Sequence, residues 1–342
     1  MQRILFIINH KIDNQYSMFK YAAMHKFLIN NINNKKFIFK VININNIIFK
    51  NSKNKIITRI NKYFFFPIYL FFISRKYNIV HICDQGNAYL INFLKCKKIV
   101  VTCHDLILIK FHFKNLKDRV LSIITKKSLE KADVIIAASL NTKQDIRKYL
   151  STKAKIYQIY HPVLFKSHKN KNIKFQNFIL HIGNAFYKNR RLAINFFKFL
   201  SKKNKNKYSL VCIGEIKPDE KKFLKNENIR KNVYFIKNIS EAKVISLYKK
   251  CRFLLVTSLY EGYGYPILEA YYYKKKIIST SAGSLKEIVL SNYTSHKNTV
   301  KSLYNVYKLN SKINKTKQGL ELLKKINNKE GYKNFYNKIY SE

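Results

Sequence analysis

The sequence lacks the features that mark several classes of protein. Its five cysteines form no CxxC pair, and four of them lie in or beside apolar, strand-like runs; they are Cys83, Cys96, Cys103, Cys212 and Cys251. This pattern predicts buried, reduced thiols in a cytosolic protein rather than a disulfide framework. Long hydrophobic runs are also missing. The most apolar stretch, "YFFFPIYLFFI" from Tyr63 to Ile73, has 11 residues, whereas a membrane-spanning helix needs about 20. We therefore expect no transmembrane protein, and either a buried helix or an interfacial membrane anchor here.

Acidic residues are scarce. The 342-residue chain has 67 Lys and Arg against 18 Asp and Glu, a formal net charge of +49. An anionic partner such as a membrane surface would explain this excess, and so would coding bias towards Lys, Asn, Ile, Phe and Tyr. Zinc-finger spacing, an RNP-type string and a helix-turn-helix pattern are all missing from the sequence, so we expect no specific nucleic-acid partner. The N-terminal "MQRILFIINH" predicts a first strand rather than a signal peptide.

Short apolar runs alternate with longer amphipathic runs along the chain. The pattern predicts strands at Ile4–Ile8, Phe37–Ile42, Ile79–Cys83, Ile99–Cys103, Val134–Ala138, Ile156–Tyr160, Phe178–Ile182, Leu210–Ile213, Val233–Ile236, Phe253–Thr257 and Ile277–Thr280. Helices are predicted at Leu116–Lys131, Arg191–Lys202, Ser240–Lys249 and Pro266–Lys274. Such alternation favours an α/β fold with doubly wound parallel sheets. The apolar pattern fades at 161–177, which predicts domains at 1–163 and 164–318. The residues 319–342 are expected to form a helix that packs an apolar face back on the body.

Glycine and proline are rare, with 8 and 4 residues, yet "SLYEGYGYPILEA" places Gly262, Gly264 and Pro266 within five positions. A strand-like run precedes this stretch, and Pro266 suits the first turn of a helix. The loop would then present backbone amides at a helix N-terminus, which is an anion site. Glu269, one turn further on, would reach hydroxyl groups beside the anion. A nucleotide-sugar site and a merely capped helix with two surface acids both fit this spacing.

The same residues resemble the E-x7-E signature of family 4 glycosyltransferases. That family's pattern is E-G-F-G-x-P-x-x-E-A, and this chain has "EGYGYPILEA". Further matching segments are "VVTCHDLILIKF", "SLEKADVIIAASLNTKQDI", "AKIYQIYHPV", "FILHIGNAFYKNRRLAINFF" and "ISTSAGSLKEIV". The resemblance implies the GT-B fold, in which two Rossmann-like domains face each other across a cleft. The N-terminal domain would lie on the acceptor side, and the C-terminal domain would bind a nucleotide-sugar donor.

The resemblance also implies roles for individual residues. Lys188 would neutralise the donor diphosphate, Glu269 would hold the ribose hydroxyls, and Glu261 would contact the donor sugar. His104 would hydrogen-bond the transferred sugar from the first domain. The loop Gly262, Tyr263 and Gly264 would supply amides to the sugar and phosphates.

Two departures from the family pattern stand out. Asn184 occupies a position where the family usually has an arginine, so Arg190 or Arg191 would have to supply the cation. The segment "HKIDNQYSM" from His10 to Met18 has no glycine where the family often has a glycine-rich loop. The acceptor side is therefore expected to be built differently.

No metal or other cofactor is expected. The seven aspartates form no DxD motif, which many other glycosyltransferases use to hold a metal ion. Lys188, a neighbouring arginine and the helix N-terminus would then stabilise the departing diphosphate.

The sequence thus favours a retaining, metal-independent glycosyltransferase of cell-surface polysaccharide or lipopolysaccharide synthesis, acting on a glycan or lipid-linked acceptor. We expect the protein in the cytoplasm, either free or in peripheral contact with the inner face of an anionic membrane. One alternative is a GT-B sugar-nucleotide epimerase or phosphorylase, and another is a non-catalytic protein that binds polyanions or a membrane surface.

Overall fold

The computed structural model describes residues 1–10, 16–30, 36–45, 47–49, 52, 54–111, 115–165, 171–203, 208–226, 230–312 and 316–342. Within these ranges the strands are β1 (Gln2–Ile8), β2 (Phe37–Asn43), β3 (Ile79–Ile82), β4 (Lys98–Cys103), β5 (Val134–Ala137), β6 (Lys155–Gln158), β7 (Phe178–Ile182), β8 (Ser209–Ile213), β9 (Val233–Ile236), β10 (Phe253–Val256), β11 (Lys276–Thr280) and β12 (Thr294–Ser295). All the predicted strands are confirmed, and the two-residue β12 is additional.

The helices are α1 (Tyr16–Asn30), α2 (Lys55–Ile60), α3 (Phe66–Ser74), α4 (Ile107–Lys110), α5 (Leu116–Leu129), α6 (Leu140–Tyr149), α7 (Arg190–Lys203), α8 (Pro218–Asn226), α9 (Glu241–Lys250), α10 (Tyr265–Tyr272), α11 (Leu285–Ile288), α12 (Val300–Lys312), α13 (Thr316–Ile326) and α14 (Lys329–Ser341). A π-helical turn, Asn61–Phe65, joins α2 to α3, and 3₁₀ turns lie at Gln85–Phe93, Phe186–Lys188, Arg230–Asn232 and Ser291–Tyr293.

The chain divides into two compact units. Unit 1 comprises Met1–Leu164 with Asn327–Glu342, and unit 2 comprises Phe165–Ile326. The first division therefore lies one residue beyond the boundary that the sequence suggested. The expected single terminal helix is two helices: α13 belongs to unit 2, whereas α14 belongs to unit 1.

Unit 1 contains a parallel sheet with the strand order β2-β1-β3-β4-β5-β6. Its central strands are buried on both faces, as the apolar runs of a parallel sheet require. The helix α14 covers one face, where Tyr332, Tyr336, Ile339 and Tyr340 are all buried in the core. The C-terminal residues of α14 thus pack an apolar face on the sheet of unit 1.

Unit 2 contains a second parallel sheet with the order β12-β11-β10-β7-β8-β9. Its core is formed by α7 residues such as Phe196 and Leu200 with Leu210, Leu255 and Leu303. Consecutive strands run outwards from β7 on one side, and β10 begins the series on the other side. The pair β7 and β10 is therefore the point where the strand order reverses, and ligands of doubly wound folds bind beside this point at the carboxyl ends of the strands.

The helix around Tyr63–Ile73 differs from the expectation of a buried helix. It is a 22-residue helix, Lys55–Lys76, and its length and composition suffice to cross a membrane. Only 28% of the most apolar 18-residue stretch of this helix is buried. The helix continues beyond the eleven residues visible in the hydropathy pattern, through Asn61 before the run and Ser74 after it.

Candidate active site

The candidate site lies in unit 2, where the chain leaves β7 and β10. The segment after β7 contains Gly183 and the 3₁₀ turn Phe186–Lys188, and the segment after β10 begins at Thr257. Backbone and side-chain hydrogen bonds hold the two segments together. The Leu259 amide donates to the Tyr187 carbonyl at 2.7 Å, and the Thr257 hydroxyl lies 3.0 Å from the Lys188 carbonyl. The strand-order reversal thus brings these two loops to one edge of the sheet.

Lys188 and Glu261 form an ion pair at this edge. The Lys188 Nζ lies 2.6 Å from Glu261 Oε1, and the side chains are only 16% and 8% exposed. The Ser258 hydroxyl donates to the same carboxylate oxygen at 2.6 Å. Gly183 has φ of +99°, and a Cβ there would lie 3.1 Å from Cγ of Lys188. The residue predicted to hold phosphate and the residue predicted to hold the sugar are therefore direct neighbours.

A second glycine fixes the backbone of Glu261. Gly283 has φ of +63°, and a Cβ there would lie 2.3 Å from the Glu261 carbonyl oxygen. The next residue, Ser284, donates its amide to that carbonyl at 2.9 Å. Because this approach excludes any side chain, Gly283 is a structural requirement of the loop that carries Glu261.

The loop after Glu261 leads into α10 as the sequence predicted. Gly264 is the N-cap residue with φ of +89°, and Pro266 lies in the first turn. Tyr263 is buried, and its ring centroid lies 5.0 Å from that of Tyr265. Gly262, which lies between Glu261 and Tyr263 in the sequence, is also buried. The positive end of this helix therefore begins three residues after Glu261.

Glu269 is the fifth residue of α10 and is half-buried. The Tyr248 hydroxyl is hydrogen-bonded to its carboxylate. Burial, and then the charge of Glu269, raise the pKa of Tyr248. The same two causes raise the pKa of Tyr273 to about 12. Both tyrosines therefore stay protonated at neutral pH, and Tyr248 is able to orient the carboxylate as a hydrogen-bond donor.

Arg190 is placed differently from its predicted donor-binding role. Its side chain is 2% exposed and forms a two-pronged ion pair with Glu220, with Nε 2.8 Å from Oε1. A second contact joins Nη2 to the Glu215 carbonyl at 2.6 Å. This geometry favours a structural role, in which Arg190 holds the segment after β8. Arg191 is exposed, and its guanidinium lies over the Phe223 ring at 4.3 Å.

Asn184 packs against the strand-end glycine of β8. Gly214 has φ of +124°, and a Cβ there would lie 3.0 Å from the Asn184 Cβ. The residue that replaces the family's arginine thus lies between the ends of β7 and β8. Its role towards a donor stays a prediction.

His104 follows β4 in unit 1 and is 3% exposed. Its Nε2 lies 2.9 Å from the Cys83 carbonyl, which fixes the proton on that nitrogen. Burial lowers the pKa of His104, so the ring is neutral, and its buried Nδ1 has no hydrogen-bond partner among the described residues. The ring is held from within unit 1, and its contact with a sugar stays a prediction. The glycine-free acceptor segment falls largely at 11–15, outside the described residues.

Three supporting residues were not predicted. Ser258 orients Glu261, Tyr248 orients Glu269, and Gly283 makes room for the Glu261 backbone. The strand-end "TS" and the scarce glycine at 283 were the signals available in the sequence. Within the described part of the chain, no group of three or more His, Cys, Asp and Glu side chains is arranged to hold a metal ion.

Comparison with known proteins agrees with the signature. The pattern of the family described as Glycosyl transferases group 1 matches residues 164–331, and that of Glycosyltransferase Family 4 matches residues 40–163. The chain belongs to the family 4 glycosyltransferases. The predicted family is therefore confirmed. No curated protein sequence matches this glycosyltransferase.

Solved structures match the glycosyltransferase over its whole length. Sucrose-phosphate synthase from Thermosynechococcus elongatus has a TM-score of 0.74 at 14% identity, covering 100% of this chain and 98% of that one. The catalytic domain of starch synthase IV from Arabidopsis thaliana, bound to ADP and acarbose, has a TM-score of 0.69 at 10% identity, covering 100% and 99%. WaaG, a glycosyltransferase involved in lipopolysaccharide biosynthesis, has a TM-score of 0.64 at 12% identity, covering 95% and 94%. These likenesses confirm the GT-B fold.

Proposed function

We propose that this enzyme is a retaining glycosyltransferase that moves a sugar from a nucleoside-diphosphate sugar to a glycan or lipid-linked acceptor of cell-surface polysaccharide or lipopolysaccharide. The observation that carries the proposal is the Lys188–Glu261 pair at 2.6 Å beside the N-terminus of α10. A cation, a helix N-terminus and a carboxylate lie together at the strand-order reversal of unit 2. These are the groups that a diphosphate joined to a sugar requires.

The mechanism follows from where charge develops. When the bond between the sugar and the diphosphate breaks, negative charge grows on the departing phosphate oxygens. Lys188 and the positive end of α10 stabilise that charge in place, so little reorganisation is needed. Glu261 keeps Lys188 oriented in the absence of donor and contacts the sugar when donor is bound. Glu269, oriented by Tyr248, binds the ribose hydroxyls.

The proposed donor site also has groups that would replace a metal ion. A protein that uses Mg²⁺ or Mn²⁺ for the same step holds it with clustered carboxylates, and this sequence has no DxD motif. We propose that Lys188 supplies the positive charge. Retention of the anomeric configuration follows from the E-x7-E resemblance.

Two assays test the proposal. A thermal-shift screen of nucleoside diphosphates and nucleotide sugars should identify one donor that stabilises the protein by about 2.7 kcal/mol at 100 times its Kd. Transfer to an acceptor extract is then followed by NMR, which reports the anomeric configuration of the product. The transfer should continue in EDTA. Full loss of turnover in EDTA, restored by manganese or magnesium, would contradict metal independence.

The same assays separate the alternatives. Consumption of the donor without any acceptor would point to an epimerase or phosphorylase. Ligand binding that falls steeply with salt, together with no effect of Glu261→Gln, would point to a non-catalytic polyanion-binding protein. Lys202→Ala, an exposed change on α7, is the control for general loss of positive charge.

A further inference from the structure

An exposed apolar row runs along the helix Lys55–Lys76 of unit 1. Its members recur every four residues and are each at least 42% exposed: Ile56, Ile60, Phe64, Ile68 and Phe72. In a regular α-helix, a row at this spacing drifts by about 40° at each step. The π-helical turn Asn61–Phe65 lies within the row. Because a π turn takes more residues than an α turn, it rotates the row back and keeps it on one side of the helix.

The opposite side of this helix is anchored in unit 1. Phe66 and Leu70 are buried in the core of the unit. Asn61 is buried, and its side-chain oxygen accepts the amides of Ile47 and Ile48, both at 2.8 Å. Withdrawing the helix to span a bilayer would expose this core and break both hydrogen bonds. The helix is therefore suited to lie on a membrane rather than to cross it.

A neighbouring helix carries a second exposed row. Leu116, Val120, Ile123 and Ile124 of α5 are each at least 40% exposed, and they follow helical spacing. Both α5 and α3 pack on the Gln85–Phe93 turn. The exposed apolar side chains of unit 1 thus lie on two helices that pack on the same turn, which is more than isolated surface residues require.

The charges around the first row indicate what covers it. Between Asp13 and Asp84 the sequence has no Asp or Glu, and it has 12 Lys and Arg. Exposed basic residues lie near both ends of the helix: Lys55 and Arg59 near its start, Arg75 and Lys76 at its end. A second copy of this chain would bring like charges together at such a surface. An anionic lipid bilayer instead accepts apolar side chains at its interface and binds the flanking cations through its headgroups.

We propose that the row Ile56–Phe72 of helix Lys55–Lys76 inserts into the interface of an anionic lipid bilayer, with the flanking Lys and Arg side chains bound to headgroup phosphates. Long basic side chains reach the headgroups while their stems stay against the apolar surface. The proposal is independent of the donor chemistry in unit 2, because binding is measured without nucleotide.

The absence of tryptophan gives a direct test. Phe72→Trp introduces the single tryptophan of the chain on the row, and Leu309→Trp introduces one at an exposed position of α12 in unit 2. The full-length variants are mixed with vesicles of 70% phosphatidylcholine and 30% phosphatidylglycerol. We expect a blue shift of the emission and quenching by brominated lipid for Phe72→Trp only. Equal responses at both positions, or no response at either, would overturn the proposal.

Co-sedimentation with the same vesicles separates insertion from simple charge attraction. Phe64→Asn with Phe72→Asn should weaken binding by about tenfold or more, whereas Leu309→Asn should leave it unchanged. Arg75→Gln with Lys76→Gln should weaken it by about fivefold for each charge removed, and Lys202→Gln with Lys203→Gln on α7 is the matched control. Vesicles of phosphatidylcholine alone should bind poorly.

Two results would overturn the proposal in this assay. One is binding to anionic vesicles that is unchanged by the apolar substitutions and falls equally when either pair of basic residues is replaced by glutamine. The other is a concentration-dependent dimer in sedimentation equilibrium that Phe64→Asn with Phe72→Asn abolishes, which would make a second copy the occupant. Circular dichroism confirms that each variant is folded.

Discussion

The two units share one plan, but the polar cluster beside α14 in unit 1 differs from the one at the strand ends of unit 2. In unit 1, histidine and tyrosine rings meet in the core beside α14. His25 Nδ1 lies 2.7 Å from the Tyr332 hydroxyl, and His81 Nδ1 lies 2.7 Å from the Tyr340 hydroxyl. Burial lowers the pKa of His25, and burial followed by the charge of His104 lowers the pKa of His81 to about 3. In this cluster beside α14, unit 1 therefore keeps its buried histidines neutral.

Unit 2 keeps buried charges and pairs them. Lys188 is bound to Glu261, and Arg190 is bound to Glu220, in side chains that are 16% exposed or less. A buried charge is tolerated only when a partner and further hydrogen bonds replace its hydration. The difference places fixed charge at the carboxyl edge of unit 2, where a diphosphate needs it. The cluster beside α14 in unit 1 offers neutral hydrogen-bonding groups instead.

Acid should separate the two units most strongly. Four buried histidines of unit 1 have lowered pKa values: His25, His81, His104 and His161. In unit 2, burial and then the charge of Arg190 lower the pKa of His181 to about 3. For such a group the unfolded chain takes up the proton first. Stability is therefore complete above about pH 6.5 and falls as the pH drops towards 3. Between pH 7.5 and 5.5, each histidine whose folded pKa lies well below 5.5 costs about 1.4 kcal/mol of stability.

The measurement uses urea unfolding of two single-tryptophan variants, Phe335→Trp for unit 1 and Phe199→Trp for unit 2. We expect the unit 1 reporter to lose several kcal/mol from pH 7.5 to 5.5, and the unit 2 reporter to lose about 1.4 kcal/mol. Equal losses in both reporters would show that the histidine cluster does not distinguish the units.

Breaking the buried ion pair of unit 2 should come next in size. Arg190→Ala leaves the Glu220 carboxylate buried without its partner, which typically costs about 3–5 kcal/mol of stability. Arg191→Ala, on the exposed neighbouring residue, should cost little. The double variant Arg190→Met with Glu220→Leu should recover much of the loss, because no unpaired charge remains. Donor affinity that falls in the double variant while stability recovers would instead restore the predicted donor-binding role.

Lys188→Ala should lower turnover by about 10²-fold or more, by analogy with the loss of one oxyanion donor. Glu261 keeps its hydrogen bond from the Ser258 hydroxyl when Lys188 is removed, so the fold should survive. The kcat with the donor found by thermal shift is compared with that of Lys202→Ala, which should match the unmodified enzyme. Near-normal turnover in Lys188→Ala would mean that the phosphate binds elsewhere.

The contrast also explains which features the sequence could predict. Strand runs such as "FLLVTS" and the cluster Gly262–Pro266 are local signals, and the strand and helix that they predict are present. Contacts that join distant segments left no local signal. The approach of Gly283 to Glu261 and the pairing of Arg190 with Glu220 depend on how two strand-end loops meet. An arginine close in sequence to Lys188 gives no sign of whether it binds a ligand or a glutamate.

The hydropathy of the run Tyr63–Ile73 did not predict its burial, for a similar reason. The run Tyr63–Ile73 is as apolar as a core helix, so a buried helix was one of the two expectations. The structure buries one side of it, through Phe66 and Leu70, and exposes the other. An amphipathic helix would carry polar residues on the exposed side. Here that side is apolar as well, so periodicity carried no information on burial.

The smallest of these effects should come from Glu269, because its proposed role is to bind the donor rather than to react. Glu269→Ala removes a charged hydrogen-bond partner of the ribose, which is worth about 10- to 100-fold in affinity. KM and the donor Kd should rise together while kcat changes little, and the exposed Glu321→Ala on α13 serves as the control. Tyr248→Phe should give a weaker effect of the same kind, since it removes only the hydroxyl that orients the carboxylate. A change confined to kcat would assign Glu269 to the chemical step, and unit 2 would then hold two reacting carboxylates rather than one.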